Sequence, residues 1–264
     1  MTTHQLAYRE STGQGRPVIL VHGNSSSSRT WQRLLDSPFG QRYRCLAPDL
    51  PGHGKSPRST DGYSISGYTH ALAAFARDTG ARDALIVGWS LGGHIALEAA
   101  PELPDAAGFA IFGTPPLTGP EAMSSAFLPH PALAVGFSAE VGPQEAHAYA
   151  AAQLSPDSPL SPASAVADIL ATDPAARSDL AAALASGAIA DELAIARTLR
   201  QPLAILHGDE DQLISLPYLR SLAPSLPTLW RHEIQLIPGV GHCPQEERPE
   251  ALAALLTKFV TGLA

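Results

Sequence analysis

The chain has 264 residues, of which 45% are hydrophobic and 16% charged, and its formal net charge at pH 7 is −8. This length allows one large α/β domain with a substantial core. The acidic charge argues against nucleic acids and anionic membranes as partners. The sequence has no run of 18 apolar residues, and residues 1–4 lack a basic-then-apolar signal, so we expect a cytoplasmic protein.

Cysteine and histidine usage favours neither a disulfide nor a metal site. The two cysteines, Cys45 and Cys243, need no bridge in a reducing compartment. Histidines and cysteines do not cluster at the spacing of metal ligands, and no H-x-H-x-D-H stretch occurs. We therefore expect no cofactor and no metal, which disfavours a metal-dependent hydrolase.

The first half of the chain alternates short apolar runs with helical stretches. Residues 4–10 alternate weakly between apolar and polar and predict an edge strand. Continuous apolar runs at 17–21 and 44–47 predict strands buried on both faces of a parallel sheet, and helices are predicted near 30–35 and at 66–79. Polar, turn-rich loops follow both strands. In parallel sheets of this kind, functional residues lie in the loops at the carboxyl ends of the strands.

The most informative stretch is LIVGWSLGGH at residues 85–94. An apolar strand ends at Val87 and a helix is predicted over 91–100, with Gly88-x-Ser90-x-Gly92 between them. So sharp a turn strains the backbone at its apex, and small neighbours relieve the crowding around the serine. The pattern predicts a nucleophile elbow at Ser90; the alternative is an ordinary helix-capping serine.

The alternation stops after a strand predicted at 108–112. Residues 113–200 are rich in alanine and proline and contain short helix-like runs but no convincing strand. This segment leaves the sheet at the edge that carries the elbow, so we predict a helical cap at 117–196, inserted after the sixth strand. The alternative is a helical insertion that only enlarges the fold. The core comprises residues 1–116 and 197–264, with strands at 202–206 and 233–237 and a closing helix at 248–262.

A serine hydroxyl becomes a nucleophile when a histidine base takes its proton. His242 lies beyond the elbow, in a glycine-flanked loop after the last predicted strand. His207 ends a strand, and His94 lies on the elbow helix, where packing is the simpler role. We predict His242 as the base.

The base must in turn be oriented by an acid, and three candidates follow the strand at 202–206: Asp209, Glu210 and Asp211. Asp211 is far enough beyond Gly208 to turn back toward His242, whereas Asp209 suits a turn-capping role. The order Ser90, Asp211, His242 is the one expected when a catalytic triad is built around such an elbow.

The oxyanion formed by nucleophilic attack needs two preorganised N–H donors. The backbone N–H of Leu91 follows the nucleophile, and the loop after the strand at 17–21 offers the N–H of Asn24. The Asn24 side chain is also predicted to reach the substrate, although turn chemistry alone would account for an asparagine there. We also count Trp89, the neighbour of Ser90, among the substrate-binding residues.

Three motifs resemble those of the α/β-hydrolases: GWSLGGHI at 88–95, HGN at 22–24 and APDLPGHGKS at 47–56. With HGNSSS at 22–27 and GTPP at 113–116, the chain is similar to the metal-independent N-acylhomoserine lactonases of that fold. The resemblance covers the core nearly end to end but the cap only patchily. It implies a mainly parallel sheet with helices on both faces. It also implies a serine hydrolase that opens the lactone ring of these quorum-sensing signals through an acyl-enzyme.

One cap residue is carried over by this resemblance. Tyr149, in HAYA at 147–150, matches a lid tyrosine that hydrogen-bonds substrate, although a tyrosine packing within the cap would look the same in sequence.

The chain departs from the lactonase pattern at three places. Asp211 stands where a glutamate is expected, the N-terminal region is short enough to lack the usual first strand, and the cap is richer in proline and alanine. A serine at the elbow argues against haloalkane dehalogenase or epoxide hydrolase chemistry, and the single glycine after His22 argues against HGGG-type lipases. A small carboxylesterase acting on acyclic esters and a ligand receptor of the same fold remain as alternatives.

Overall fold

The computed structural model describes residues 5–263. Within them a seven-stranded sheet has the order β1-β3-β2-β4-β5-β6-β7. β1 runs antiparallel to β3, and the other pairings are parallel. The strands are β1 (Tyr8–Glu10), β2 (Gly15–Val21), β3 (Tyr43–Pro48), β4 (Leu85–Trp89), β5 (Gly108–Phe112), β6 (Leu203–Gly208) and β7 (Gln235–Ile237).

Helices occupy most of the connections between the strands. The α-helices are α1 (Gln32–Leu35), α2 (Pro38–Arg42), α3 (Ile65–Asp78), α4 (Leu91–Ala99), α5 (Met123–Ala126), α6 (Pro143–Ala152), α7 (Ala163–Ala171), α8 (Pro174–Ser186), α9 (Glu192–Thr198), α10 (Leu216–Leu222), α11 (Pro244–Glu247) and α12 (Pro249–Thr261). Short 3-10 helices lie at Ser28–Trp31, Ala100–Glu102, Pro120–Ala122, Pro131–Phe137, Ala223–Ser225 and Trp230–His232.

Successive strand residues point to opposite faces of the sheet, and helices packed on each face bury them. Ile19 and Ile86 belong to a core shared with α3 and α4. Val18 and Leu85, one position earlier in each strand, belong to a second core shared with α1, α2 and α12. This arrangement confirms the expected α/β-hydrolase architecture, a mainly parallel sheet with helices on both faces.

The predicted elements need four corrections. The edge strand predicted at 4–10 is limited to Tyr8–Glu10, and residue 4 lies outside the described residues. The helix predicted near 30–35 is a 3-10 turn followed by α1. α2 and α10 were not predicted. The helical insertion follows β5, the fifth strand, rather than a sixth, because only the short β1 precedes β2.

The insertion between β5 and β6 contains α5 to α9 and joins the core at two neighbouring points. Leu193 donates its backbone N–H to the carbonyl oxygen of Leu117 at 3.2 Å, so the two ends of the segment at 117–196 lie side by side. Cys45 and Cys243 are both free and buried. No helix within residues 5–263 is long and apolar enough to span a membrane.

Candidate active site

Ser90 occupies a strained turn between β4 and α4. Its backbone has φ 53° and ψ −121°, in the positive-φ region that residues other than glycine rarely adopt. Two hydrogen bonds hold this geometry: the Ser90 N–H donates to the Phe112 carbonyl at 2.9 Å, and the Thr114 hydroxyl donates to the Ser90 carbonyl at 2.8 Å. This geometry is that of a nucleophile elbow.

The glycines flanking Ser90 are required by close backbone approach. A Cβ on Gly88 would lie 2.4 Å from the Gly92 carbonyl oxygen, and one on Gly92 would lie 2.3 Å from that of Val21. Both distances are well below van der Waals contact. The two glycines therefore let α4 lie directly against the ends of β2 and β4.

His242 and Asp211 form a buried pair at the carboxyl edge of the sheet. Nδ1 of His242 lies 2.9 Å from Oδ2 of Asp211, and the side chains are 4% and 1% exposed. Oδ1 of Asp211 accepts backbone N–H groups from Leu213 and Ile214. Burial alone would raise the pKa of Asp211, but interactions with His242 and the Leu213 N–H outweigh it and lower that pKa. Asp211 is thus held as a carboxylate.

Several contacts hold the His242 loop beside the elbow. The indole N–H of Trp89 donates to the His242 carbonyl at 2.8 Å. Gly113, with φ +60°, lies so close to the imidazole that a Cβ there would be 2.6 Å from Cε1 of His242. Glu247 accepts the Gly241 N–H at 2.7 Å and also binds Ser155 of the helical insertion. These contacts hold the His242 loop against Trp89, the residue before Ser90, and against Gly113, which follows β5.

The other acids and bases considered from sequence lie elsewhere. Asp209 and Glu210 are exposed, and Asp209 accepts the backbone N–H of Gly239 at 2.7 Å, which is the turn-capping role expected for it. His207 is buried within β6. Of the three acids, Asp211 is the one bonded to His242.

Leu91 and Asn24 lie near Ser90, and their role as oxyanion donors stays a prediction. Leu91 begins α4, where backbone N–H groups have no intrahelical acceptor. Asn24 lies in the loop after β2. A Cβ added to the adjacent Gly23 would lie 3.1 Å from the Cβ of Ser90, so this loop runs close to the nucleophile. The Asn24 side-chain amide donates to the Gly136 carbonyl at 2.6 Å and accepts from the Ser25 hydroxyl at 3.1 Å. This side chain therefore also links the loop to the helical insertion.

A cavity of about 70 Å³ lies against Ser90. Ligand pockets commonly measure roughly 300–1,000 Å³, so this one accepts a small group or must widen to admit a longer one. Polar groups are few in its wall. The lining includes the apolar Ile65, Leu117, Met123, Phe127, Leu133, Phe137, Leu180, Leu184 and Ile189, together with Asn24, Ser90, Leu91, His94, Tyr149 and Glu192.

The two side chains predicted to bind substrate besides Asn24 have different surroundings. Tyr149, on α6, lines the cavity, and burial raises the pKa of its hydroxyl to about 12, so it stays protonated. Trp89 is not in that lining. Its indole is committed to the His242 carbonyl and faces a separate cavity of about 230 Å³. In the structure Trp89 supports the His242 loop, and its role in substrate binding stays a prediction.

Comparison with known proteins identifies the family. The sequence profile of the alpha/beta hydrolase family matches residues 18–255. The chain belongs to this family. A 92-residue stretch is 34% identical to an uncharacterized protein of Mycobacterium tuberculosis and spans only 27% of that protein's length.

Two similarities of this hydrolase extend over nearly the whole chain. It is 31% identical to a pimeloyl-[acyl-carrier protein] methyl ester esterase of Aromatoleum aromaticum, over 93% of this chain and 98% of that protein. It is also similar to the crystal structure of the N-acyl homoserine lactonase AidH complexed with N-hexanoyl homoserine lactone. That match has a TM-score of 0.92 and 32% identity, covering 98% of this chain and 95% of the lactonase. The family resemblance read from the motifs is confirmed.

Sequence reasoning missed a second buried acid–histidine pair in the hydrolase. Nδ1 of His94 lies 2.8 and 2.9 Å from the two carboxylate oxygens of Glu192, and both residues line the Ser90 cavity. From the sequence, packing is the simpler role for His94. Because Glu192 lies 98 positions away on α9, no local pattern could have paired them.

Two buried histidines brace the Asn24 loop and were likewise not given a role from sequence. Nε2 of His22 accepts the Leu50 N–H at 2.9 Å, and Nε2 of His53 accepts the Ser25 N–H at 3.3 Å. Each ring uses Nδ1 to donate to a nearby carbonyl, which fixes one neutral tautomer. Burial lowers the pKa of His53 to about 3 and lowers that of His22 as well.

Because His53 is buried in its neutral form, we expect the folded protein to lose stability as the pH falls. Between pH 6.5 and about 3 the unfolded chain protonates His53 while the folded protein does not, so the free energy of unfolding falls as the pH falls. For each proton that the unfolded chain binds and the folded protein does not, the free energy of unfolding falls by about 1.4 kcal/mol per pH unit. Urea unfolding of His53→Gln across this range should show a shallower slope than the parent. The exposed His147→Gln is the matched control, and an equal slope in parent and His53→Gln would refute this account.

Proposed function

We propose that this hydrolase opens the lactone ring of N-acylhomoserine lactones through a Ser90 acyl-enzyme, and thereby quenches quorum-sensing signals in the cytoplasm. Carboxylic ester hydrolysis is the chemistry of its esterase and lactonase relatives. The observation that carries the narrower proposal is the Ser90 cavity. Its wall is mostly apolar, comes mainly from the helical insertion and includes Tyr149, which suits a short acyl tail attached through an amide; a longer tail requires the cavity to widen.

In the first step Ser90 attacks the lactone carbonyl carbon while His242 takes the hydroxyl proton. Asp211, buried and ionised, stabilises the imidazolium that forms and keeps its ring oriented. The carbonyl oxygen becomes an oxyanion, which the backbone N–H groups of Leu91 and Asn24 bind. Because α4 and the β2 loop fix these donors beforehand, they need little reorganisation during the reaction.

The tetrahedral intermediate then collapses and breaks the ring carbon–oxygen bond. His242 returns its proton to the ring oxygen, which becomes the homoserine hydroxyl and stays tethered to the acyl-enzyme. This tether favours reclosure unless water attacks promptly. His242 then takes a proton from water, the hydroxide attacks the acyl carbon, and Ser90 leaves with that proton.

The helical insertion at 117–196 acts in this scheme as a cap on the core formed by 1–116 and 197–264. It supplies most of the apolar cavity wall and, through Gly136, contacts the oxyanion loop at Asn24. Tyr149 faces the amide that joins the acyl tail to the lactone. Such a grip holds the ring carbonyl at Ser90 and leaves room for a single water after acylation.

A small carboxylesterase acting on acyclic esters is the second candidate, favoured by the 31% identity to an esterase over 93% of the chain. A receptor that binds without turnover fits less well, because the Asp211–His242 pair next to Ser90 is complete.

Ser90→Ala removes the nucleophile without changing the side-chain bulk of the turn. We expect a folded protein by circular dichroism, with kcat lowered by several orders of magnitude, since triad residues act as a unit. Activity within about tenfold of the parent would place the nucleophile elsewhere.

Asp211→Asn preserves the shape of the acid but cannot stabilise the His242 imidazolium. A loss on the order of 10⁴ in kcat is expected from the equivalent change in other triads. The matched control is Asp209→Asn, whose exposed carboxylate caps the Gly239 turn, and it should stay within a few-fold of the parent. A greater loss in the control than in Asp211→Asn would overturn the acid assignment.

Substrate class is tested by incubating the enzyme with N-butanoyl and N-dodecanoyl homoserine lactone, with and without EDTA, and detecting the ring-opened acid. We expect opening in both conditions, because residues of the chain supply every step. Within residues 5–263 no group of three or more His, Cys, Asp or Glu side chains is placed to hold a metal ion. Loss of activity in EDTA would contradict the serine mechanism. Hydrolysis of p-nitrophenyl esters without lactone opening would favour the carboxylesterase.

A further inference from the structure

The proposed mechanism leaves the His94–Glu192 pair without a role, although the pair lines the same cavity as the nucleophile. The two side chains are 12% and 2% exposed. Burying an acid–histidine pair beside an otherwise apolar cavity costs free energy that a pair of apolar side chains would avoid. Its presence there calls for a partner in the cavity.

Glu192 also has a structural contact, since it accepts the backbone N–H of Leu117 at 2.9 Å. This bond connects the two ends of the helical insertion and accounts for an acid at position 192. The bond to Leu117 does not explain the histidine at position 94, because the Leu117 N–H would keep its acceptor, Glu192, if His94 were absent. An apolar side chain at position 94 would fill the cavity wall more simply.

Glu192 determines how His94 presents its ring. Nδ1 is committed to the carboxylate, so Nε2 is the atom left for the cavity. Within the described part of the chain Nε2 makes no hydrogen bond. Burial alone would lower the pKa of His94, but the charge of Glu192, the hydrogen bond to it and the nearby Glu98 raise that pKa above its ordinary value. With Nδ1 held by Glu192, Nε2 is the hydrogen-bonding atom that His94 offers to the cavity.

His94 lies on α4, the helix that begins beside the nucleophile. It lies four residues after Ser90 and donates its own backbone N–H to the Ser90 carbonyl at 3.3 Å. In an N-acyl amino acid ester, only four covalent bonds separate the ester carbonyl carbon from the amide oxygen. An ester held at Ser90 therefore keeps its amide within the cavity that His94 also lines.

We propose that His94, held by Glu192, is a specificity residue whose Nε2 hydrogen-bonds the amide on the acid side of the scissile ester. Tyr149, in the same cavity lining, supplies a second hydrogen bond to this amide. Two-point binding selects N-acylated substrates over plain fatty esters of equal length. The inference rests on ester hydrolysis at Ser90 and deepens the proposed function by naming the recognised group.

The test compares substrates that share a length and differ in the amide. The lactone pair is N-hexanoyl homoserine lactone and α-heptyl-γ-butyrolactone. The acyclic pair is the methyl ester of N-hexanoylglycine and methyl nonanoate. For each pair the measured quantity is the ratio of the two kcat/KM values, amide over alkyl, because a general structural defect lowers both values and leaves their ratio unchanged.

His94→Phe keeps a ring but removes the hydrogen-bonding nitrogen, and we expect its ratio to fall about 10-fold below that of the parent, as for loss of one hydrogen bond. Glu192→Gln keeps hydrogen-bonding atoms but removes the charge, so the ratio should fall several-fold. It also serves as the test variant if circular dichroism shows that His94→Phe does not fold. His147→Phe, at an exposed position on α6, is the matched control and should keep the parent ratio.

The outcomes separate this inference from the proposed lactonase activity. If the lactones are opened but the ratio in His94→Phe and Glu192→Gln stays within about threefold of the parent ratio, the specificity role is overturned and the lactonase proposal stands. If the lactones are not opened but the preference for the N-hexanoylglycine ester depends on His94, the lactonase proposal is overturned and the specificity role is supported. Failure to hydrolyse all four compounds would refute both.

Discussion

The positive φ of Ser90 is the constraint on which the rest of the site depends. A serine in this region costs on the order of 1–3 kcal/mol and persists only when its surroundings impose it. Here they do: the Ser90 N–H is bonded to Phe112, Thr114 caps its carbonyl, and Gly88 and Gly92 admit the neighbouring backbone. The strained turn directs α4 back across the sheet and sets the position of every other group of the site relative to one hydroxyl.

The oxyanion loop is held from two directions. Below it, His53 accepts the Ser25 N–H and so fixes the loop only while neutral. Above it, Asn24 donates to Gly136 and the Ser27 hydroxyl donates to Asp168, both in the helical insertion. Arg177, a buried guanidinium of α8, donates to the Ile169 and Ser138 carbonyls and joins several turns of that insertion. The insertion and the oxyanion loop therefore form one hydrogen-bonded unit.

The sequence predicted best those features whose cause is local. The elbow is read from glycines two positions from Ser90, because the same short stretch creates and relieves the crowding. Asp211 could be preferred over Asp209 because the length of a turn decides which carboxylate points back. The buried strands were recognised from continuous apolar runs, although β1 is shorter than its weak alternation suggested.

Features that depend on distant partners could not be predicted in this way. His94 meets Glu192 across 98 residues, and the sequence around either shows no sign of the other. The indole of Trp89 likewise donates to a carbonyl 153 residues away, and no local pattern could show that contact. The predicted insertion is numbered after a sixth strand, although the five strands predicted before it are the five that the structure has.

Intact-mass measurement of the acid-quenched enzyme tests the central claim most directly. A ring-opening acyl-enzyme retains the whole lactone, because the leaving hydroxyl stays tethered, so the adduct should carry the full mass of N-hexanoyl homoserine lactone. Peptide mapping should place it on Ser90, and Ser90→Ala should show none. An adduct on another residue, or lactone opening by Ser90→Ala at the rate of the parent, would contradict the account.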